Sequence, residues 1–166
     1  MQRIKEFTES APVYLTQGLV SISTAKTSET AQVAELYKKN EEYLQPWRTA
    51  ARENVLAKVF NIYWLETTLA GQIILEIDEK SSSASISYWV DEKYTNRGIA
   101  TNAVILIKKY AITELKLQML EAYVQQHNEA SIKVLNKADF RKAEALTKAL
   151  RVEDSQVFHD IYIYQE

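Results

Sequence analysis

The stretch from Ala84 to Ile112 constrains the fold more than any other part of the chain. Ala84, Ile86, Tyr88 and Val90 alternate with Ser85, Ser87 and Trp89, a period of two that predicts a β-strand with one apolar face. After a polar loop, Ile99, Ala103, Leu106, Ile107 and Tyr110 recur at i, i+4, i+7, i+8 and i+11, which predicts an amphipathic helix to about Ile112. A strand that runs straight into a helix needs a tight turn between them, and Gly98 stands there. Only three glycines occur, at 18, 71 and 98, so each is expected to mark a place where the backbone requires one.

Around this unit the other elements fall into order. Val13 to Ser23 reads as a strand interrupted or turned at Gln17-Gly18. Ser28 is expected to cap a helix through Asn40, with Ala31, Ala34, Leu36 and Tyr37 as a partial apolar face. Pro46 breaks the chain near Trp47, and a second helix is expected from about Thr49 to Phe60 on Val55, Leu56, Val59 and Phe60. Strands follow at Asn61–Glu66 and Gln72–Ile77, turned through Thr68–Gly71. Past the central helix, Met119–Val124 reads as a strand and Asn128 starts a helix with Ile132 and Leu135 inward. Phe140–Leu150 and Gln156–Tyr164 close the chain as a hairpin-like pair. Strands grouped early, then strand, helix, strand, helix, strand, imply a mixed sheet flanked by helices: an α+β fold, α/β in looser usage. No repeat or Pro/Gly/Ser-rich linker interrupts residues 1–166, so one domain is expected.

Composition removes several classes of function. A net charge of −2 leaves no basic excess to neutralise nucleic-acid phosphates. The lysines and arginines between Lys133 and Arg151 are interleaved with Asp139, Glu144 and Glu153, and read as a solvated mixed face. With no cysteine, thiolate catalysis, disulfides and Cys-based zinc sites are excluded. His127 reads as a solvated loop residue, and His159 stands beside Asp160 with no third ligand nearby in sequence, so no metal site is expected. No signal-peptide-like or membrane-length apolar run is present, which predicts a cytoplasmic protein with no membrane partner.

The loop before the central helix has chemistry of its own. A helix start carries unpaired N–H donors and about half a positive charge, a setting that suits a pyrophosphate, and Arg97 adds a fixed cation. Taken alone, the segment reads equally well as a plain turn with a solvated arginine. Thr95-Asn-Arg-Gly98-Ile-Ala100 nevertheless resembles the Gln/Arg-x-x-Gly-x-Gly/Ala signature of the GNAT superfamily of acetyl-CoA-dependent N-acyltransferases. Thr95 replaces the usual Gln/Arg, and Asn96 stands where glycine is common; asparagine tolerates the left-handed conformation better than most residues. Three more segments resemble the branch that acetylates ribosomal-protein N-termini at serine or alanine: Asn40-Glu-Glu-Tyr-Leu-Gln-Pro-Trp47, Ile86-Ser-Tyr-Trp-Val-Asp91, and Asn128-Glu-Ala-Ser131 through Leu135 to Phe140.

The resemblance implies a mostly antiparallel central sheet whose middle strands splay apart to admit the pantetheine arm of acetyl-CoA. Backbone groups near Trp89 and Val90 would hold the arm, and the amides of Arg97, Gly98, Ile99, Ala100 and Thr101 the phosphates. The matching Asn128 would touch the arm, and Ser131 would protonate or hydrogen-bond the departing thiolate. Read from local chemistry alone, Asn128 is a helix cap and Ser131 a tolerable neighbour. A primary amine would attack the thioester directly, Val90 N–H polarising the carbonyl, with Glu76 or Glu121 as base. Tyr43 and Trp47 would shape the acceptor pocket. The branch's hairpin glutamate has no match near Lys148-Ala-Leu-Arg-Val, and Ala138-Asp139 imply an altered turn before Phe140. The acceptor is thus a protein N-terminus or a small amine such as an antibiotic, amino acid or polyamine. A non-catalytic acetyl-CoA sensor is the alternative, and the chain is expected as monomer or homodimer.

Overall fold

The computed structural model describes residues 12–48, 55–78, 80–152 and 155–165, and between 145 and 156 the backbone alone. Among these residues eight strands form one sheet in the order β1-β2-β3-β4-β5-β6-β8-β7. The strands are β1 (Tyr14–Gln17), β2 (Val20–Thr24), β3 (Leu56–Trp64), β4 (Thr68–Asp78), β5 (Ser83–Val90), β6 (Met119–Gln125), β7 (Arg141–Val152) and β8 (Ser155–Gln165). The α-helices are α1 (Thr30–Lys39), α2 (Glu41–Leu44), α3 (Ile99–Thr113) and α4 (Glu129–Lys137). Every neighbouring pair is antiparallel except β5 and β6. The α+β expectation holds.

Three expectations fail, each for a physical reason. Ser28 does not cap the first helix: it lies within a short helical turn, Thr27–Glu29, closed by Glu29 Oε2 accepting from Lys26 N–H, and α1 starts behind it at Thr30. The helix anticipated from Thr49 to Phe60 lies outside the described residues at 49–54, and Leu56 onward is strand β3. Val55, Leu56, Val59 and Phe60 fit a helical stripe, but they fit equally well a strand covered on both faces, and β3 is covered by α1 and α3. The turn expected at Thr68–Gly71 sits earlier. Leu65 and Glu66 take it with φ of 52° and 67°, and Thr68 already belongs to β4. Gly71 is required for a different reason. A Cβ there would stand 2.0 Å from the Trp89 carbonyl oxygen and 2.9 Å from Val90 Cα. The glycine lets β5 approach at a bulge where the β3–β4 register shifts past Ile62.

The helices divide the sheet unequally. Ile22, Phe60, Ile62, Ile73 and Leu75 point to one face, where α3 buries Ile99, Ala103 and Ile107 against them. On the other face α1 buries none of its residues and leaves a pocket of about 720 Å³ beneath it. The C-terminus of α4 closes as a Schellman motif: Phe140 N–H donates to Leu135 O (3.0 Å), Asp139 N–H to Asn136 O (3.2 Å), and Asp139 sits at φ 68°. Lys108 of α3 fastens this turn through Ala138 O (2.8 Å) and Asp139 Oδ2 (3.2 Å).

The parallel pairing of β5 and β6 is brief. It covers Ser83 with Met119, Ala84 with Leu120 and Ser85 with Glu121, and then the ladder stops while both strands continue. The sheet therefore opens from Ile86 on one side and from Ala122 on the other.

Candidate functional site

The mouth of this opening leads into a cleft of about 470 Å³ between the start of α3 and the face of α4. Asp91 N–H donates to Ala70 O on β4 at 2.7 Å. Strand alternation then turns the N–H groups of Val90 and Tyr88 the opposite way, into the gap. Trp89 is the exception among the expected backbone contacts: it borders the cleft, but its carbonyl faces Gly71 across the sheet.

The loop from β5 to α3 is built to present backbone donors. Asp91 Oδ1 accepts from Lys93 N–H (3.0 Å), and the Thr95 hydroxyl donates to Glu92 O (2.8 Å), so Thr95 is spent on folding the loop. Asn96 adopts φ 60° and Gly98 φ 76°, two left-handed residues in three positions. A Cβ at Gly98 would meet only Asn102 Nδ2 at 3.7 Å; its requirement is conformational. Gly98 is the N-cap of α3, and Asn102 N–H makes the first helical bond to Gly98 O (2.9 Å). The N–H groups of Ile99, Ala100 and Thr101 stay unused by the helix and line the cleft with Gly98. Arg97 is exposed, its guanidinium 5.9 Å from the Tyr94 ring centre, and Lys93 lies over the same ring at 5.5 Å.

Helix α4 forms the facing wall. Asn128 caps it, its Oδ1 accepting from Ser131 N–H at 3.1 Å. Ala130, Ser131 and Val134 border the cleft, and Lys133 and Lys137 bring two cations to it. Those lysines read as part of a solvated mixed face in the sequence, and both are exposed at the rim of the cleft, Lys133 with Glu129 Oε2 at 3.7 Å. Ser131 Oγ lies 2.8 Å from the Tyr88 hydroxyl. Burial, only partly offset by the Ser131 bond, pushes the Tyr88 phenol well above the ordinary tyrosine range. Tyr88 was legible in sequence only as an inward strand residue, because alternation gives its face and not its partner.

A buried asparagine connects cleft and helices. Asn40 Nδ2 donates to Leu36 O (2.9 Å), and its Oδ1 accepts from Glu92 N–H (2.9 Å), tying the end of α1 to the loop. Tyr43 borders the cleft, and burial, then the Glu92 carboxylate, raise its hydroxyl's pKa. Trp47 is more exposed, in a turn held by Gln125 Nε2 donating to Pro46 O (2.8 Å). The indole of Trp89 meets Tyr37 of α1 edge-on at 5.3 Å.

Glu76 is not part of the cleft. It lies on the α1 face, four residues and roughly 13 Å along β4 from Gln72, the register partner of Trp89. Ser85 Oγ donates to Glu76 Oε2 (3.0 Å), and Ser85 is also in register with Glu121, which accepts from the Tyr123 hydroxyl (2.5 Å). The two carboxylates thus flank one buried serine at the root of the splay. Under α1, Glu29 accepts from Asn61 Nδ2 (2.7 Å), Tyr63 OH (2.9 Å) and Lys26 N–H (3.2 Å), and Gln72 Nε2 donates to Asn61 Oδ1 (2.9 Å). Burial alone would raise the Glu29 carboxyl, but these donors hold it below the usual range. His159 is buried with Nδ1 donating to Val157 O (2.8 Å). Among the described residues no group of three or more His, Asp or Glu side chains could hold a metal ion.

Comparison with known proteins yields the same architecture. The acetyltransferase (GNAT) domain family matches residues 13–141. A probable N-acetyltransferase, YjcK of Bacillus subtilis (strain 168), is 40% identical over 79 residues, 45% of this chain and 44% of its own length. An uncharacterized N-acetyltransferase of Bacillus licheniformis is 31% identical over 88 residues, 53% of this chain and 48% of its own. The chain spans under half the length of these curated relatives. Among solved structures, Mycobacterium smegmatis RimJ in complex with CoA-disulfide superposes with a TM-score of 0.78 at 21% identity, over 93% of this chain and 85% of that one. The ribosomal-protein-S5-alanine acetyltransferase of Vibrio fischeri gives 0.81 at 19% identity, over 92% and 96%.

Proposed function

The chain belongs to the GNAT acetyltransferase family, and on that premise we propose that it transfers the acetyl group of acetyl-CoA to the primary amine at a protein N-terminus. One observation carries this reading: the free amides at the start of α3, the inward N–H of Val90 and the hydroxyl of Ser131 converge on a single cleft at an opening in the sheet. The cleft fits the donor in kind. Helix-start amides with Arg97, Lys133 and Lys137 suit phosphates, and the unpaired edge of β5 suits an amide-bearing arm.

The amine nitrogen attacks the thioester carbonyl carbon while Val90 N–H donates to the developing oxyanion. The carbon–sulfur bond then breaks with its electron pair on sulfur, and Ser131 Oγ–H hydrogen-bonds the thiolate. The amine's proton passes into a chain of waters running down the opening, with Glu76 and Glu121 as its end acceptors at the root of the splay, since roughly 13 Å of strand is beyond the reach of one bridging water. A protein N-terminus as acceptor is supported by the ribosomal-protein-S5-alanine acetyltransferase among the superposing structures. Tyr43 and Trp89, which border the cleft, with Tyr37 edge-on to Trp89, support it as well. Incubation with acetyl-CoA and a panel of amines, peptides with N-terminal Ser or Ala among them, tests this by release of CoA thiol. Peptide-dependent release is expected. Tight acetyl-CoA binding without release on any amine would make the chain a sensor instead.

A further inference from the structure

We propose that Tyr88 is a positioning residue for the leaving-group step, its phenol donating to Ser131 Oγ and thereby directing the Ser131 proton at the sulfur of CoA. The inference rests on the acetyl-transfer reading of the cleft and assigns a role to a side chain that reading leaves unused.

Two hydroxyls in contact have two ways to share a hydrogen bond, and the surroundings decide between them. If Ser131 donated to Tyr88, the phenol proton would have to find Ser131 O at 3.4 Å, longer than a good O–H···O bond. If Tyr88 donates to Ser131 Oγ at 2.8 Å, its proton is satisfied and the serine proton is left for whatever occupies the cleft. The second arrangement wins. The serine is itself anchored, because its own N–H donates to the cap Asn128. A hydroxyl that accepts one hydrogen bond becomes a better donor of another. Tyr88 and Ser131 both border the cleft, from β5 and α4, so the pair bridges its two walls.

The proton balance needs no ionised tyrosine. The amine loses one proton on becoming an amide and the thiolate gains one on leaving, so the pair only stabilises the charge on sulfur while the proton crosses through base and solvent. A phenol raised by burial suits this, because it remains a donor throughout the working pH range.

The test uses the full chain with Tyr88→Phe, Ser131→Ala and the double substitution. Tyr88→Phe is expected to lower kcat about tenfold with KM for acetyl-CoA within about twofold, the signature of an interaction used in the transition state. The double variant is expected to be no slower than Ser131→Ala, and Ser131→Thr, which keeps the hydroxyl, to recover part of the rate. A readout free of turnover accompanies these: the thiol of bound CoA, followed by thiolate absorbance, should ionise at lower pH in the unmodified protein than in Tyr88→Phe or Ser131→Ala, with equal shifts in both. An unchanged thiol titration in Tyr88→Phe, or losses that multiply in the double variant, overturns the role. Failure of the unmodified chain to bind CoA would defeat the acetyl-transfer reading itself. CoA binding with no effect of Tyr88 defeats only the positioning role.

Discussion

The cleft between α3 and α4 and the larger pocket beneath α1 flank the same sheet, yet different kinds of atoms build them. The cleft is made largely of backbone: helix-start amides, the inward N–H groups of β5, and a helix cap. Its supporting helix α3 is packed tightly, with Ile99, Ala103 and Ile107 almost wholly buried. The pocket is made of side chains. Its lining includes Asn61 and Gln72, which hydrogen bonds tie to Glu29 and Tyr63, under a helix that buries none of its residues. Backbone donors constrain the sequence at a few conformational positions and leave the rest free. Side-chain networks change with every substitution, so the pocket is where members of one fold can diverge in what they accept.

Three variants would separate the two regions. The largest effect is expected from Gly98→Val. A β-branched residue at φ 76° strains the turn, and CoA affinity should fall by about 100-fold or more while the melting temperature moves little. Unchanged affinity by calorimetry would remove the loop from the site. A middle effect is expected from Lys133→Ala with Lys137→Ala: affinity for CoA about tenfold weaker at low salt, with the difference shrinking as ionic strength rises. A loss independent of salt would mean that the lysines act through packing.

The smallest effect on CoA should come from Glu29→Gln, which alters the hydrogen bonds that hold Asn61 at the pocket. Because the folded-state pKa of Glu29 is lowered, its stabilisation is present above the unfolded carboxyl value of about 4.3 and is lost as pH falls through the folded value. The variant should therefore melt lower at neutral pH and converge with the unmodified protein in acid. Parallel melting curves at every pH would show that the carboxylate is not held by its network.

Legibility in the sequence follows the same division. Strand β5, helix α3, strand β6 and the cap at Asn128 were readable because period, turn and cap are local signals. The left-handed turn at Asn96 was readable from residue type alone. The first part of strand β3, residues 56–60, was not, since coverage on both faces erases alternation. Gly71 was legible as a necessity, but its reason, the Trp89 carbonyl, lies across the sheet. Tyr88 with Ser131, Asn40 with Glu92, and the lysines of α4 depend on pairings between distant segments, and no local pattern carries them. The scarcity of glycine misleads as well. Asn96 and Asp139, with Leu65, Glu66, Ser82 and Lys116, hold positive φ without it, at a cost of roughly 1 kcal/mol each for the bulkier residues.

The early end of the β5–β6 ladder has a consequence for the protein in the absence of any ligand. A sheet that parts in its middle has two extra edges, each with a row of backbone groups that want a partner. Such edges are templates for pairing with another chain, and here they lie inside the molecule, where neither a lysine nor a proline on an outer strand can blunt them. A bound arm would cap both edges at once. Its concentration would then govern how long the protein resists aggregation as well as how fast it turns over.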